Sequence, residues 1–202
     1  MTRSTLVLLV VSVLTGCGGG GGSSEPQKLF TAADATRIAS VPPAASGWTW
    51  PENPEHEPFS DESPADATDP LLVEFLEQTA DLDDLGEVAN RWRDDDKLAN
   101  VSVGIYGTAA DARDAMAAFN ALSRGWGEQL GEVTKEEDVE ALADEAWLLE
   151  VAGNGTQVTY HVRRDNLVLE AHLHCYGSCP DDVEDAARQW IDAIDEEARG
   201  GS

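Results

Sequence analysis

Between residues 146 and 175 the chain carries three strand-like stretches joined by two very short turns, and nothing else in it restricts the fold as much. Ala146 to Val151, Thr156 to Arg163 and Leu167 to Cys175 are rich in the β-branched and aromatic residues that suit a pleated, half-buried surface. Gly153-Asn154-Gly155 and Asp165-Asn166 separate them. Turns this short join antiparallel neighbours, because a parallel pair needs a crossover of about a dozen residues or more. The segment therefore predicts an antiparallel meander. From Pro180 onward Val183, Ala186, Ala187, Trp190, Ile191 and Ile194 recur at helical spacing, so a helix with one apolar face follows.

The turns also imply a register. A two-residue loop at Asp165-Asn166 sets Arg164 opposite Leu167, Val162 opposite Leu169, Tyr160 opposite Ala171 and Val158 opposite Leu173. A loop at Asn154-Gly155 would set Val151 opposite Val158, Leu149 opposite Tyr160 and Trp147 opposite Val162. Both choices gather apolar residues on one face, and a slip of one residue would expose them all. The other face is then polar and solvated, with His161 opposite Glu170, Thr159 opposite His172 and His174 two residues further on. Directly opposed Cβ atoms lie about 4.5–5.5 Å apart. His161, Glu170, His172 and His174 are therefore candidate metal ligands, with zinc or copper suited to imidazole and carboxylate. A pH-responsive patch is an equal reading, since imidazoles titrate near neutrality. A wet sheet face that happens to carry histidines accounts for the same residues. No other cofactor is expected.

Upstream, Phe30 to Ser40 predicts a short helix with Thr31 as N-cap, and residues 70–80 a second helix with Pro70 near its first position. Glu87 to Arg93 and Asn100 to Tyr106 read as strands joined across Asp94-Asp95-Asp96-Lys97. Thr108 then caps a helix striped by Ala112, Ala115, Met116, Phe119 and Leu122, which Gly125 is expected to end. Prolines punctuate residues 42–70, an acidic stretch without a core of its own, from which Trp48 and Trp50 are expected to dock back on the domain. The expected class is α+β: an antiparallel sheet, built from the 146–175 meander and an 87–106 hairpin, packed on helices at about 108–124 and 180–197. These helices are expected on one side of it. Asn100 to Thr108 and Asn166 to Ser178, each followed by a helix, form a weak internal echo, so the 71–198 domain can be read as two related units.

The N-terminus has a separate logic. Arg3 precedes the nine-residue apolar run Leu6 to Leu14, the length of a signal-peptide core and too short to span a bilayer. Leu14-Thr15-Gly16-Cys17 resembles the lipobox of bacterial lipoproteins. That resemblance implies cleavage after residue 16 and diacylation of the Cys17 thiol, hence a palmitate-type membrane anchor. Gly18 to Ser24 is a flexible tether, so residues 17–29 would link lipid to domain and residues 30–70 would follow as a short helix and a proline-rich acidic segment. The remaining cysteines, Cys175 and Cys179, are expected to form a disulfide in the oxidising exterior, because redox-active pairs have two intervening residues and this pair has three.

With the lipobox, the segments SVPPAASGWTWP, VGIYGTAADARDAMAAF and ADEAW resemble a loose group of exported lipoproteins of high-GC Gram-positive bacteria. These are small α+β domains, some related to extracellular sensor domains, and the likeness covers roughly residues 30–198. The group usually has glycine where this chain has Ala143. What the resemblance implies is an extracytoplasmic, lipid-anchored module at the cell membrane.

Charge narrows the partners. The 39 acidic against 13 basic side chains give a formal charge of −26. A surface of that sign repels phosphate, so nucleic acid is not an expected partner, and self-repulsion favours a soluble monomer. No Gly-x-Ser-x-Gly elbow, calcium loop or phosphate-binding glycine loop occurs, and no catalytic residue is assigned. The chain reads as a non-enzymatic binding or sensor-like module for a small molecule or envelope protein. A metal- or pH-responsive protein and a structural envelope component are the alternatives.

Overall fold

The computed structural model describes residues 29–43, 48, 50, 54–57, 67–140, 142–177 and 182–200. The signal segment, Cys17 and its glycine tether lie outside the described residues, as do Cys179 and most of the proline-rich stretch. Four helices are described, α1 (Ala32–Ala39), α2 (Pro70–Thr79), α3 (Ala109–Leu130) and α4 (Val183–Gly200). The strands are β1 (Glu55–Glu57), β2 (Asp84–Asp94), β3 (Lys97–Tyr106), β4 (Glu132–Asp138), β5 (Glu145–Gly153), β6 (Gly155–Arg164) and β7 (Leu167–Cys175). They form one sheet in the order β1-β2-β3-β7-β6-β5-β4, with every neighbouring pair antiparallel. The class is α+β.

Local chemistry sets the helix starts. Thr31 caps α1 in a full capping box with Asp34, Asp69 caps α2 ahead of Pro70, and Thr108 Oγ1 accepts from the Asp111 amide at the head of α3 (3.1 Å). The sheet is covered on both faces, not one. On the first face α1 and α4 pack over Val101, Val103, Val158, Tyr160, Val162, Leu169, Ala171 and Leu173. Trp190 meets Trp92 edge to face at 5.8 Å between ring centroids, and its indole N–H donates to the Val41 carbonyl. Trp48 and Trp50 stack on each other at 5.8 Å and pack against this core, as expected. On the second face α3 lies over Tyr106, Trp147, Leu149, Val151 and Val168, with α2 outside it through Phe75 and Phe119. The two strand–helix units that echo in sequence lie side by side, β3 paired with β7, and send their helices to opposite faces.

That double cover corrects the register expected for the first hairpin. The β6–β7 pairs are as read, from Arg164 opposite Leu167 to Val158 opposite Leu173. The β5–β6 turn is one residue tighter, however, with Gly153 opposite Gly155, so Trp147 faces His161, Leu148 faces Tyr160 and Leu149 faces Thr159. Trp147, Leu149 and Val151 serve the α3 face, while Ala146 and Leu148 serve the α4 face. A strand buried on both sides has no alternation from which a register can be chosen.

α3 is also longer than expected. Gly125 does not end it; the helix runs to Leu130, and both internal glycines are close-approach positions. A Cβ on Gly125 would stand 2.8 Å from Leu71 of α2, and one on Gly127 would stand 2.8 Å from Val151 of β5. The last two turns of α3 therefore lie close over the sheet. The charged segment Glu132–Asp138, not anticipated as a strand, forms the β4 edge, where acidic and lysine side chains discourage further pairing.

At the other end of β7, Asn166 fastens the N-terminal segment. Its Nδ2 donates to the carbonyls of Phe30 (3.3 Å) and Tyr106 (2.8 Å), and its Oδ1 accepts from the Phe30 amide (2.8 Å). The side chain is buried, so these backbone groups have no water to replace it.

Candidate functional site

The histidine face expected from the β6–β7 turn exists: His161 opposes Glu170, Thr159 opposes His172, and His174 follows on the same side of β7. It is only partly wet: α3 lies across His161, while Glu170, His172 and His174 are half-buried. His161 is fully buried at 0% exposure. Its Nδ1 is 2.6 Å from Asn120 Oδ1, and its Nε2 is 3.3 Å from Glu170 Oε2 and 3.4 Å from Ser123 Oγ. Trp147 stacks on its ring at 5.2 Å and Phe119 meets it at 6.0 Å. His172 Nδ1 lies 2.9 Å from Thr159 Oγ1, while His174 packs on Tyr176 at 3.9 Å. Its Nε2 is 3.4 Å from the Asn154 carbonyl. Of the four, His161 and Glu170 are hydrogen-bonded to each other, while His172 and His174 take separate partners, Thr159 and the Asn154 carbonyl. Among the described residues no three His, Cys, Asp or Glu side chains converge to hold one ion.

Asn120 and Ser123 belong to the helical stripe of α3 beside Met116, and neither was singled out as a site residue. Their roles depend on a helix–sheet contact some 40 residues away in sequence, which no local pattern records. Ser123 Oγ and the Glu170 carboxylate compete for the same His161 nitrogen, so the imidazole is a partner of the carboxylate and not an unshared base.

Where α3 ends, the sheet and helix part to form a cleft of about 250 Å³. Asn100, Thr159, Glu170 and His172 supply polar groups, and Leu149 and Val151 with Leu130 and Trp126 supply apolar wall. Trp126 and Leu130 are among the few large apolar side chains left exposed among the described residues, at 37% and 60%. Trp126 is held in place by its indole N–H, which donates to Asp69 Oδ2 (2.8 Å). Asn100 Oδ1 accepts from Arg91 Nε (2.9 Å). Two broader hollows flank α3 on its β4–β5 side, but their arginines are latched by carboxylates, Arg113 to Glu145 and Arg124 to Glu128 and Glu136.

Electrostatics on this face is unusual. Burial pushes the Glu87 carboxyl up to about 8, with the Glu170 and Asp84 charges adding to the effect and the Ser102 hydroxyl, which donates to it, opposing. Burial lowers His172 to about 4 and also lowers His174. Burial raises Glu170, yet the His161 hydrogen bond, with the neighbouring imidazoles adding to it, outweighs burial and holds the carboxyl below its ordinary value. Burial, with Glu87 and Asp84 nearby, keeps the Tyr106 hydroxyl protonated.

These shifts have a measurable consequence. Glu87 loses its proton near 4.5 when unfolded and near 8 when folded, so between those values the folded state binds the extra proton and stability falls as pH rises. His172 acts oppositely between about 4 and 6.5, where the unfolded state binds the proton, and its contribution is complete above 6.5. Above pH 6.5 the Glu87 slope stands alone. Stability should therefore decline from about pH 6.5 to about pH 8, by at most ~1.4 kcal/mol per unit, and Glu87→Gln should flatten the decline. Urea midpoints across that window read it directly, and a level wild-type midpoint would contradict the expectation.

No family model matches the chain, and no curated protein matches it. Among solved structures it is similar to the extracellular domain of PknH from Mycobacterium tuberculosis, at 12% identity and a TM-score of 0.40, over 83% of this chain and 93% of that one.

Proposed function

We propose that the protein is a non-enzymatic, sensor-like binding module that holds a small molecule in the cleft between the C-terminal half of α3 and the sheet. The observation that carries this reading is the cleft itself: an apolar wall with exposed Trp126 and Leu130 at its rim and a few convergent polar groups. That is the common composition of a small-molecule site. Native mass spectrometry of the chain purified from its own host tests it. A retained small molecule is expected, and it should be lost on Gln157→Trp, which fills the cleft from its edge. A ligand-free chain, or a ligand indifferent to that substitution, would defeat the reading.

The module is proposed to work outside the cytoplasm as a lipid-anchored monomer at the cell membrane, its lipid on Cys17. The support is the Gly-Cys pair directly after a signal-length apolar run, followed by a flexible tether. The full chain should partition into detergent and Cys17→Ser should not. Pairing of Cys175 with Cys179 belongs to the same proposal, supported by Cys175 being bonded rather than a free thiol. A pH-responsive variant of the reading is favoured by Glu87 and His172, both displaced from their ordinary titration ranges beside the cleft floor.

A further inference from the structure

Resting on the cleft as the binding site, the geometry points to a small organic cation as its occupant, an ammonium carried on an apolar group. Glu170 lines the cleft with its side chain 29% exposed, and among the described residues its one partner within ion-pair distance is the buried His161 imidazole. No lysine or arginine lines the cleft, and Arg91, which donates to Asn100 Oδ1, stands outside the lining. The cleft thus presents a carboxylate whose one partner, His161, is buried behind it and outside the lining, and no lysine or arginine answers it from within.

A second source of negative potential is independent of Glu170. Trp126, Gly127 and Leu130 belong to the last turns of α3, and the carbonyls beyond Gly127, whose own accepts from the Gly131 amide, give the helix end a partial negative charge. The last turn carries no basic side chain to offset it. Cations are favoured at such an end, and an anionic ligand would meet both the helix terminus and Glu170. His172 adds no positive charge, since burial keeps its ring neutral at physiological pH.

The rest of the cleft suits what such a cation would carry. Leu149, Val151 and Leu130 accept an alkyl chain, and the exposed Trp126 ring offers an aromatic face of the kind that attracts ammonium groups. A volume of about 250 Å³ admits a chain of a few carbons rather than a peptide. The charge of −26 on the whole chain raises the local concentration of cations and so favours their capture.

Hexylammonium, 1-hexanol and hexanoate differ only in the head group, and titrating each into the wild-type protein near neutral pH tests the assignment by amide and indole shifts at Trp126, Gly127 and Gln157. Hexylammonium should bind at least tenfold more tightly than hexanol, with hexanoate weakest. Glu170→Gln should bring the ammonium down to the affinity of the alcohol, while unchanged hexanol binding shows that the variant's cleft is intact. Equal affinities for ammonium and alcohol in the wild type, or a preference for hexanoate, would overturn the cation assignment and leave the cleft as a site. If none of the three moves these residues, the cleft reading fails and the cation assignment fails with it. The wild-type comparison decides the matter even if the variant does not fold.

Discussion

Trp190→Ala should lower the unfolding free energy by about 3–5 kcal/mol and the melting temperature by roughly 10–20 °C, the largest loss expected of any single truncation in this chain. Trp190 is almost wholly buried between α4 and the sheet, meets the Trp92 ring edge to face, and supplies the donor for the Val41 carbonyl. Truncation removes an aromatic contact, opens a cavity between helix and sheet, and leaves a carbonyl without its donor. With total stabilities of about 5–15 kcal/mol usual for such domains, the variant would sit near the edge of folding. Trp190→Phe, which keeps most of the ring, should lose less than half as much. Urea denaturation of the three proteins decides it, and a truncation cost below ~1 kcal/mol would show that α4 is not anchored through this residue.

Asn166→Ala should cost about 2–4 kcal/mol although it removes only a short polar side chain. Three backbone groups depend on that side chain, two of them on Phe30 and one on Tyr106. A buried group deprived of its partner costs about 1–3 kcal/mol, and the total is limited because the Phe30 segment can peel away into water. That escape gives a local signature. Hydrogen exchange at the Phe30 amide should become fast in the variant while the amides of β6 remain protected. Retention of slow exchange at Phe30 would mean that Asn166 does not hold the segment. Asn166→Asp, which keeps the acceptor and loses the donors, should fall between the two.

How much of this was legible depended on whether one face of a strand was wet. In β7 intermediate residues Glu170, His172 and His174 alternate with buried ones, and in the β6–β7 hairpin pattern and turn agreed, so the residues sharing the histidine face could be named from sequence. In β5 the run Ala146 to Leu149 is buried throughout, and its register was read one residue out because helices cover both sides. β4 was invisible for the opposite reason, since its charged residues show no buried set. The candidate site followed the same rule. Its sheet residues were identified, but the burial of His161 was not, since that burial is imposed by Asn120, Ser123 and Phe119 on a helix far away in the chain. The extension of α3 past Gly125, which creates the cleft's outer wall, was hidden because a glycine near a helix end is ordinarily a stop signal.

The Asn166 fastening gives the domain a polarity. Leu29 is exposed and Phe30 is bound at the β6–β7 turn, so the chain enters the domain at that pole. Glu170 and His172 lie four to six residues along β7 from Asn166, and Trp126 and Leu130 close the cleft near the opposite end of the strands. At about 3.4 Å per residue the entry point and the polar groups are ~14–20 Å apart, with the rim further still. A surface that held the N-terminal segment would have the entry pole turned toward it and the mouth of the cleft turned outward, facing whatever diffuses past.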